Sequence, residues 1–242
     1  MMRTLVIGDI HGGLKGLQQV IERAKITSAD TLIFLGDYVD GWSEAAPTIQ
    51  YLINLSKKNE CIFIKGNHDY WCEGHIKENL VNETWLIHGG ALTVESYQRL
   101  SAKERKVHLN FFESMKLYHI DSKNRLFIHA GFTSMKGPEQ EFHPSNYFWD
   151  RTLWEMALAM DNRISLDAAI YPKRLKLFNE IYIGHTPTLH YESFTPMNAV
   201  NVWNLDTGAA FTGKLTIMDI DTKEFWQSDA LQELYPSENG RN

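Results

Sequence analysis

Three short apolar runs, TLVI at residues 4–7, TLIFL at 31–35 and CIFI at 61–64, each stop at a glycine-led polar cluster: GDIHG at 8–12, GDYVD at 36–40 and GNHD at 66–69. The runs are too short for helices, rich in β-branched residues and bounded by glycine, so they predict buried strands. After the first cluster, Leu14, Leu17, Val20, Ile21 and Ala24 recur at helical spacing, which predicts a crossover helix ending near Lys25. After the second, Ser43 is placed to cap and Pro47 to enter the first turn of a helix whose inward face is Ile49, Leu52, Ile53 and Leu55. Strand–helix–strand–helix–strand over so few residues implies right-handed parallel crossovers and an α/β fold. The three polar clusters then lie at equivalent strand ends, where an α/β sheet presents its ligand-binding loops.

The remaining chain adds to this frame. Residues 73–120 read as mostly helical, with AKERKVHLNFFESM the clearest piece. RLFIHAGF (125–132) and EIYIGHTP (180–187) are further strands, ending in His129 and His185, with a loop and the helix RTLWEMALAM between them. NAVNVWNLDTG and GKLTIMDIDTKEFWQS alternate apolar and polar residues around turn signals and predict antiparallel strands. No repeat, low-complexity tract or linker interrupts the chain, so residues 1–242 are expected to form a single domain, and 43% hydrophobic residues suffice for its core.

A net charge of -6 argues against nucleic acid as partner, because there is no basic surplus to displace counterions. Cys61 is expected to be a buried strand thiol and Cys72 to lie in a loop; two such cysteines fit a reducing compartment better than a disulfide framework. The start, MMRTLVIGDIHGG, lacks a secretory apolar stretch, and no run reaches membrane-spanning length, so a soluble, cytoplasmic protein without a membrane partner is expected.

Asp9, His11, Asp37, Asn67, His129 and His185 gather carboxylate, amide oxygen and imidazole at strand ends. That donor set suits hard or borderline cations, two rather than one. Two ions about 3.5–4 Å apart polarise a phosphoryl oxygen and ionise a water between them. His68, beside Asn67, is placed to protonate a leaving oxygen, and Asp40 to hold its tautomer.

The order GDIHG, GDYVD, GNHD, FIHAG, YIGHT resembles the phosphoprotein phosphatase group of calcineurin-like metallophosphoesterases, whose motifs run GDxHG, GDxVDRG, GNH(E/D), a strand-end His and a final GH. The likeness spans about residues 4 to 213 and points to the bacterial serine/threonine phosphatase-like or diadenosine tetraphosphatase-like branch. It implies a metallophosphoesterase fold, a central β-sandwich of mixed sheets flanked by helices (α/β/β/α). It further implies that Asp9 and His11 bind one metal, Asp37 bridges, and Asn67, His129 and His185 bind the second, the ions being manganese, with iron or zinc as options. His68 would be the general acid oriented by Asp40, and a dimetal-bridging hydroxide would attack phosphorus in line. Arg151, in FWDR, resembles a substrate-phosphate clamp, and Asn67 would also face the substrate. Two departures stand out. GDYVDGW puts Gly41 where the family carries a phosphate-gripping arginine, and Asp69 replaces the commoner Glu. Lys65 could compensate, although pairing with a nearby acid is the simpler expectation.

Plainer readings compete with these. Asp in a glycine turn is usually turn chemistry, but turns do not require imidazoles at matched strand ends. His88, in LIHGGAL, follows a weaker strand signal out of motif order and is expected not to be a ligand. His75, His108, His119, His143 and His190 default to surface or packing roles, and Lys173, Arg174 and Lys176 to a solvated helix face. Trp42, Trp71, Tyr147, Phe148 and Trp149 either fill the gap between helices and sandwich or make a stacking wall for a nucleobase or aryl group. Asp206, Thr207 and Gly208 read as a supporting turn. The leading expectation is a metal-dependent phosphomonoesterase acting on phosphoproteins or small phosphoesters. A dinucleoside polyphosphate hydrolase with the same chemistry is the alternative. A metal-binding regulatory protein without catalysis rests on the missing arginine alone, and the intact His68 and Asp40 weigh against it.

Overall fold

The three apolar runs form β1 (Thr4–Ile7), β2 (Thr31–Phe34) and β3 (Glu60–Phe63), paired in parallel, in a computed structural model that describes residues 2–241. The predicted helices are α1 (Leu14–Arg23) and α2 (Ala45–Leu55). Pro47 sits in the first turn of α2, but Ser43 does not cap it: its hydroxyl donates to Glu238 instead, 2.7 Å away. The next helix, α3 (Asn67–Glu78), begins inside the GNHD cluster itself, and Asp69 lies in its first turn. Then come α4 (Glu83–Trp85), a π-helical turn at Leu86–Gly90, α5 (Ala91–Gln98) and α6 (Ala102–Glu113). A reciprocal cap between Ser101 and Glu104 opens α6.

The segment read as mostly helical ends in an unpredicted strand, β4 (Tyr118–Ile120), antiparallel to β5 (Arg125–Ile128). After the short α7 (Asn146–Trp149), α8 (Thr152–Leu158) and α9 (Lys173–Lys176) come β6 (Glu180–Ile183), β7 (Met197–Ala199) and β8 (Val202–Asn204). The chain continues through β9 (Thr216–Asp219), β10 (Phe225–Gln227) and α10 (Leu231–Leu234). The strands divide into two five-stranded mixed sheets, ordered β10-β9-β1-β2-β3 and β4-β5-β6-β8-β7. The tail is therefore antiparallel only in part: β7 pairs antiparallel with β8 and β10 with β9, but β8 runs parallel to β6.

The period of two along each strand sorts its side chains between layers. Leu5 and Ile7 of β1 face the core under α1 and α2, whereas Val6 enters the core between the sheets. On the other sheet, Leu126 and Ile128 face α8 and its neighbours, and Phe127 meets the central core, where it stacks on Tyr182 at 5.1 Å. Three apolar cores thus separate four layers, the α/β/β/α sandwich. Fully burying each such side chain contributes roughly 1.5–3 kcal/mol.

Three placements differ from expectation. Cys72 is buried in α3 rather than lying in a loop, and Cys61 is only half-buried. Arg174 is not solvated: its guanidinium donates to the Phe132 carbonyl (2.7 Å) and to Thr152 Oγ1 (3.0 Å), while Lys173 and Lys176 stay exposed. Among the described residues, no helix is long and apolar enough to cross a membrane.

Candidate active site

The loops after β1, β2, β3, β5 and β6 converge at the same edge of the sandwich, and the backbone there is unusual. His11, Asp37, Asp40 and His185 all adopt positive φ (53°, 54°, 69° and 67°), a region costly for side chains other than glycine. Such outliers persist where the surroundings over-determine them, and they gather at functional sites. Here the surroundings are visible: the amides of Ile10 and His11 both donate to the Asp37 carbonyl, at 3.0 and 2.9 Å. The His68 amide donates to Asp37 Oδ1 (3.0 Å) and the His185 amide to Asp9 Oδ2 (3.0 Å). Gly184 is required by this approach, since a Cβ there would stand 2.0 Å from Asp9 Oδ1.

The six strand-end side chains come together. His11 Nε2 lies 3.8 Å from Asp9 Oδ2 and 3.7 Å from Asp37 Oδ2, and His129 Nε2 is 3.4 Å from Asp37 Oδ2. Asn67 Oδ1 is 3.1 Å from both His129 Nε2 and His185 Nδ1. The tautomers follow from the partners. His11 Nδ1 faces the Asp40 carbonyl at 2.8 Å and His129 Nδ1 the Leu35 carbonyl at 2.8 Å. A carbonyl only accepts, so both Nδ1 atoms carry protons and both Nε2 atoms face the cluster. Two groups whose ligand atoms lie within 4.8 Å of one another, His11–Asp37–His68 and Asp37–His129–His185, share Asp37 and could hold metal. Asp9 Oδ1 and His185 Nε2 are buried without a hydrogen-bond partner. Orphaned donors and acceptors of that kind are costly unless something meets them. The residues present therefore fit a pair of divalent ions in donor type and in unmet bonding capacity.

Electrostatics agree. Burial pulls the His129 imidazole down, but the Asp37 carboxylate outweighs it and pushes the ring up to about 10. Burial pushes Asp37 up, and the charges of His129 and His68 overcome it and hold that carboxyl well below the usual range. Asp9 goes the other way, raised by burial and then by the Asp206 carboxylate. Burial also keeps His11 and His185 low, hence neutral and able to ligate. The cluster is short of positive charge, and a cation supplies what a proton on His129 supplies here.

His68 stands beside the cluster, its Nδ1 donating to Asp40 Oδ2 at 2.6 Å. The same oxygen accepts from Trp85 Nε1 (2.7 Å), and the Asp40 amide donates to Thr93 Oγ1 (3.0 Å). Asp69 ties the motifs together: it accepts from the amides of Asp37 (2.7 Å), Tyr38 (2.9 Å) and Gly66 (2.8 Å). Burial and then the Asp37 charge still raise its carboxyl to about 7. Trp85, Thr93 and Asp69 escaped the sequence reading as site residues. Only Asp69 carried a signal, its position inside GNHD. Lys65 pairs with Glu73, as the simpler expectation had it.

A pocket of about 140 Å³ opens over the cluster, lined by Asp37, Asn67, His68, Arg151 and His185 together with Trp71, Trp149, His88 and Arg241. His88, set aside as a ligand, belongs to neither metal-competent group but does reach the pocket wall. His75 packs against Trp85 at 5.3 Å, and His143 is exposed. The aromatic group splits. Trp42 is fully buried and Tyr147 and Phe148 nearly so, whereas Trp71 and Trp149, 5.1 Å apart edge-to-face, face the pocket. The Asp206 side chain accepts from the Gly208 amide (3.0 Å), making the expected turn, and its charge bears on Asp9. Behind Trp71 lies a larger cavity of about 410 Å³, lined by Tyr70, Gly74, Lys77, Leu80 and Trp85 among others.

The family model for calcineurin-like phosphoesterases matches residues 2–209. The bis(5'-nucleosyl)-tetraphosphatase PrpE [asymmetrical] of Bacillus cereus (strain 03BB102) is 26% identical over 232 residues, covering 90% of each chain. The protein of the same name from Oceanobacillus iheyensis is 25% identical over 244 residues, covering 93% of this chain and 91% of that one. Among solved structures, a metallophosphoesterase from Sphaerobacter thermophilus aligns with a TM-score of 0.58 at 18% identity, over 97% of this chain and 95% of that one. A protein serine/threonine phosphatase from Saccharomyces cerevisiae aligns with a TM-score of 0.61 at 12% identity, over 95% and 80%. At these identities the structural likeness is one of fold.

Proposed function

The chain belongs to the calcineurin-like phosphoesterase family, hydrolases of phosphoester bonds, and from that premise we propose that it cleaves dinucleoside polyphosphates with two divalent ions, manganese first among them. Asp9, His11, Asp37, Asn67, His129 and His185 would hold the two ions, with Asp37 common to both metal-competent groups. Ions bound there supply an activated water and withdraw charge from phosphorus. The chain's own groups do the rest. Arg151 grips a phosphate oxygen at the pocket mouth, and Asn67 faces it from the cluster side. His68 delivers its proton from Nε2 to the departing oxygen, and Asp40, itself fastened by Trp85 and Thr93, keeps the ring turned with Nδ1 away from the substrate.

The observation that supports the substrate class is that Trp71 lines two neighbouring cavities. The smaller is sized for a phosphoryl group, and the larger offers aromatic walls to a nucleoside. The names of the Bacillus cereus and Oceanobacillus iheyensis relatives point the same way. A second reading, hydrolysis of phosphomonoesters including phosphoproteins, is favoured by the small pocket alone, which asks nothing of the cavity behind Trp71.

A product-resolved assay with manganese, comparing diadenosine tetraphosphate, a phosphopeptide and para-nitrophenyl phosphate, separates the two. We expect the dinucleotide to have the highest kcat/KM. A preference for the phosphopeptide of about a hundredfold, some 2.7 kcal/mol, would replace the first reading by the second.

A further inference from the structure

Residues 236–241, a segment with no sequence motif, deliver an arginine to the catalytic pocket. Their path is fastened at several points. Tyr235 stacks on Trp42 with ring centroids 5.1 Å apart. Glu238 accepts from the Ser43 amide (2.9 Å) and hydroxyl (2.7 Å), and the Arg241 amide donates to the Ala210 carbonyl at 2.8 Å. The Arg241 side chain then crosses Gly41. At that glycine, where φ is 124°, a Cβ would meet the His11 carbonyl at 3.1 Å and Arg241 Cγ at 3.6 Å. The Arg241 stem thus lies in contact range of position 41.

The guanidinium packs over the Phe211 ring, 5.3 Å from its centroid, and lines the pocket with Arg151, His68, Asn67 and Asp37. Its Nε is buried with no hydrogen-bond partner, and no carboxylate pairs with it among the described residues. A half-buried cation with an unmet donor, facing a pocket beside a second arginine, is a binding element for an incoming anion. Its charge is felt there already: after burial, it is the next cause holding His88 below its ordinary value.

We propose that Arg241 is a substrate-binding residue that grips the phosphate together with Arg151, from the place that Gly41 leaves open. The proposal rests on the phosphoesterase reading of the pocket. It makes a segment about two hundred residues from the GDYVD cluster part of the site, with the Arg241 stem lying against Gly41, where a Cβ would be 3.6 Å from Arg241 Cγ.

The test compares wild type, Arg241→Met, Arg241→Lys and, as control, Arg163→Ala, whose guanidinium is exposed and paired with Asp161 at 2.7 Å. Methionine keeps apolar packing over Phe211 while removing the charge. With manganese present, KM for para-nitrophenyl phosphate is measured alongside the Kd of inorganic phosphate by calorimetry. Losing a charged hydrogen bond should raise both in Arg241→Met by about tenfold or more. Lysine should recover part of the loss, the control should match wild type, and melting temperatures should stay together. Equal KM and Kd in wild type and Arg241→Met would overturn the clamp while leaving the phosphoesterase intact. A wild type inert toward every phosphoester would overturn the broader reading and the clamp with it.

Discussion

The two cavities that share Trp71 as a wall are built in opposite ways. The smaller lies over strand-end loops held in left-handed backbone, with buried carboxylates and imidazoles tied to backbone amides and to one another. The larger is made from α3, α4 and the turn between them, and it exposes Tyr70 and Leu80 to solvent. One wall is assembled from segments far apart in the chain, and the other from one continuous stretch, residues 70–85. On the proposed reading, chemistry that needs atoms held in one arrangement belongs in the first, and choice of leaving group, which needs only area and shape, in the second.

The largest expected effect falls on the shared carboxylate. Asp37→Asn removes the group common to both metal-competent triads and should lower kcat on every substrate by about three orders of magnitude or more. His68→Asn should cost about 10²–10⁴-fold. It should cost less on para-nitrophenyl phosphate, whose leaving group needs little proton help, than on a poorer leaving group. If Asp37→Asn spared one substrate class, the two cavities would not share one chemical centre.

Trp71→Ala sharpens the comparison from the other side. Loss of a stacking wall worth about 1–3 kcal/mol per base should raise KM for diadenosine tetraphosphate roughly tenfold or more while leaving that for para-nitrophenyl phosphate nearly unchanged. Equal losses on both would assign Trp71 to the phosphate pocket alone. The smallest effect concerns the loop that leads into α7 and Trp149. Glu141 accepts from the amides of Thr133 (2.6 Å), Ser134 (3.1 Å) and His143 (3.2 Å). Burial pushes its carboxyl up, and these donors prevail and hold it at about 2 against an ordinary 4.5. A depressed carboxyl stabilises above its unfolded value and loses that contribution as pH falls through the folded one. Thermal melts should therefore place Glu141→Gln below wild type at pH 7, with the gap closing between pH 4.5 and about 2.

The same contrast explains what the sequence made legible. Strands of the central layers announce themselves because alternate side chains enter different cores, as Leu5, Val6 and Ile7 do, so three consecutive positions there are apolar. The site's polar residues were legible because each follows such a strand. What supports them was not. Trp85 and Thr93 come from helices whose patterns say nothing of Asp40, and Ser43 lost its expected capping role to Glu238, a partner 195 residues away. β4 is three residues long and sits behind α6, too brief to break a helical reading. Arg174 looked solvated because its neighbours are charged, but carbonyl and hydroxyl partners draw it inward. Local pattern carries the elements and their ends, and long-range hydrogen bonds decide which side chains those ends can use.

Manganese titration of the metal-free chain, followed by calorimetry in wild type and Asp37→Asn, tests the central claim most directly. The account predicts two ions per chain in wild type and a lower stoichiometry or much weaker binding once Asp37 is replaced. A wild-type chain that binds no manganese, iron or zinc, or an Asp37→Asn variant that binds them unchanged, would contradict it.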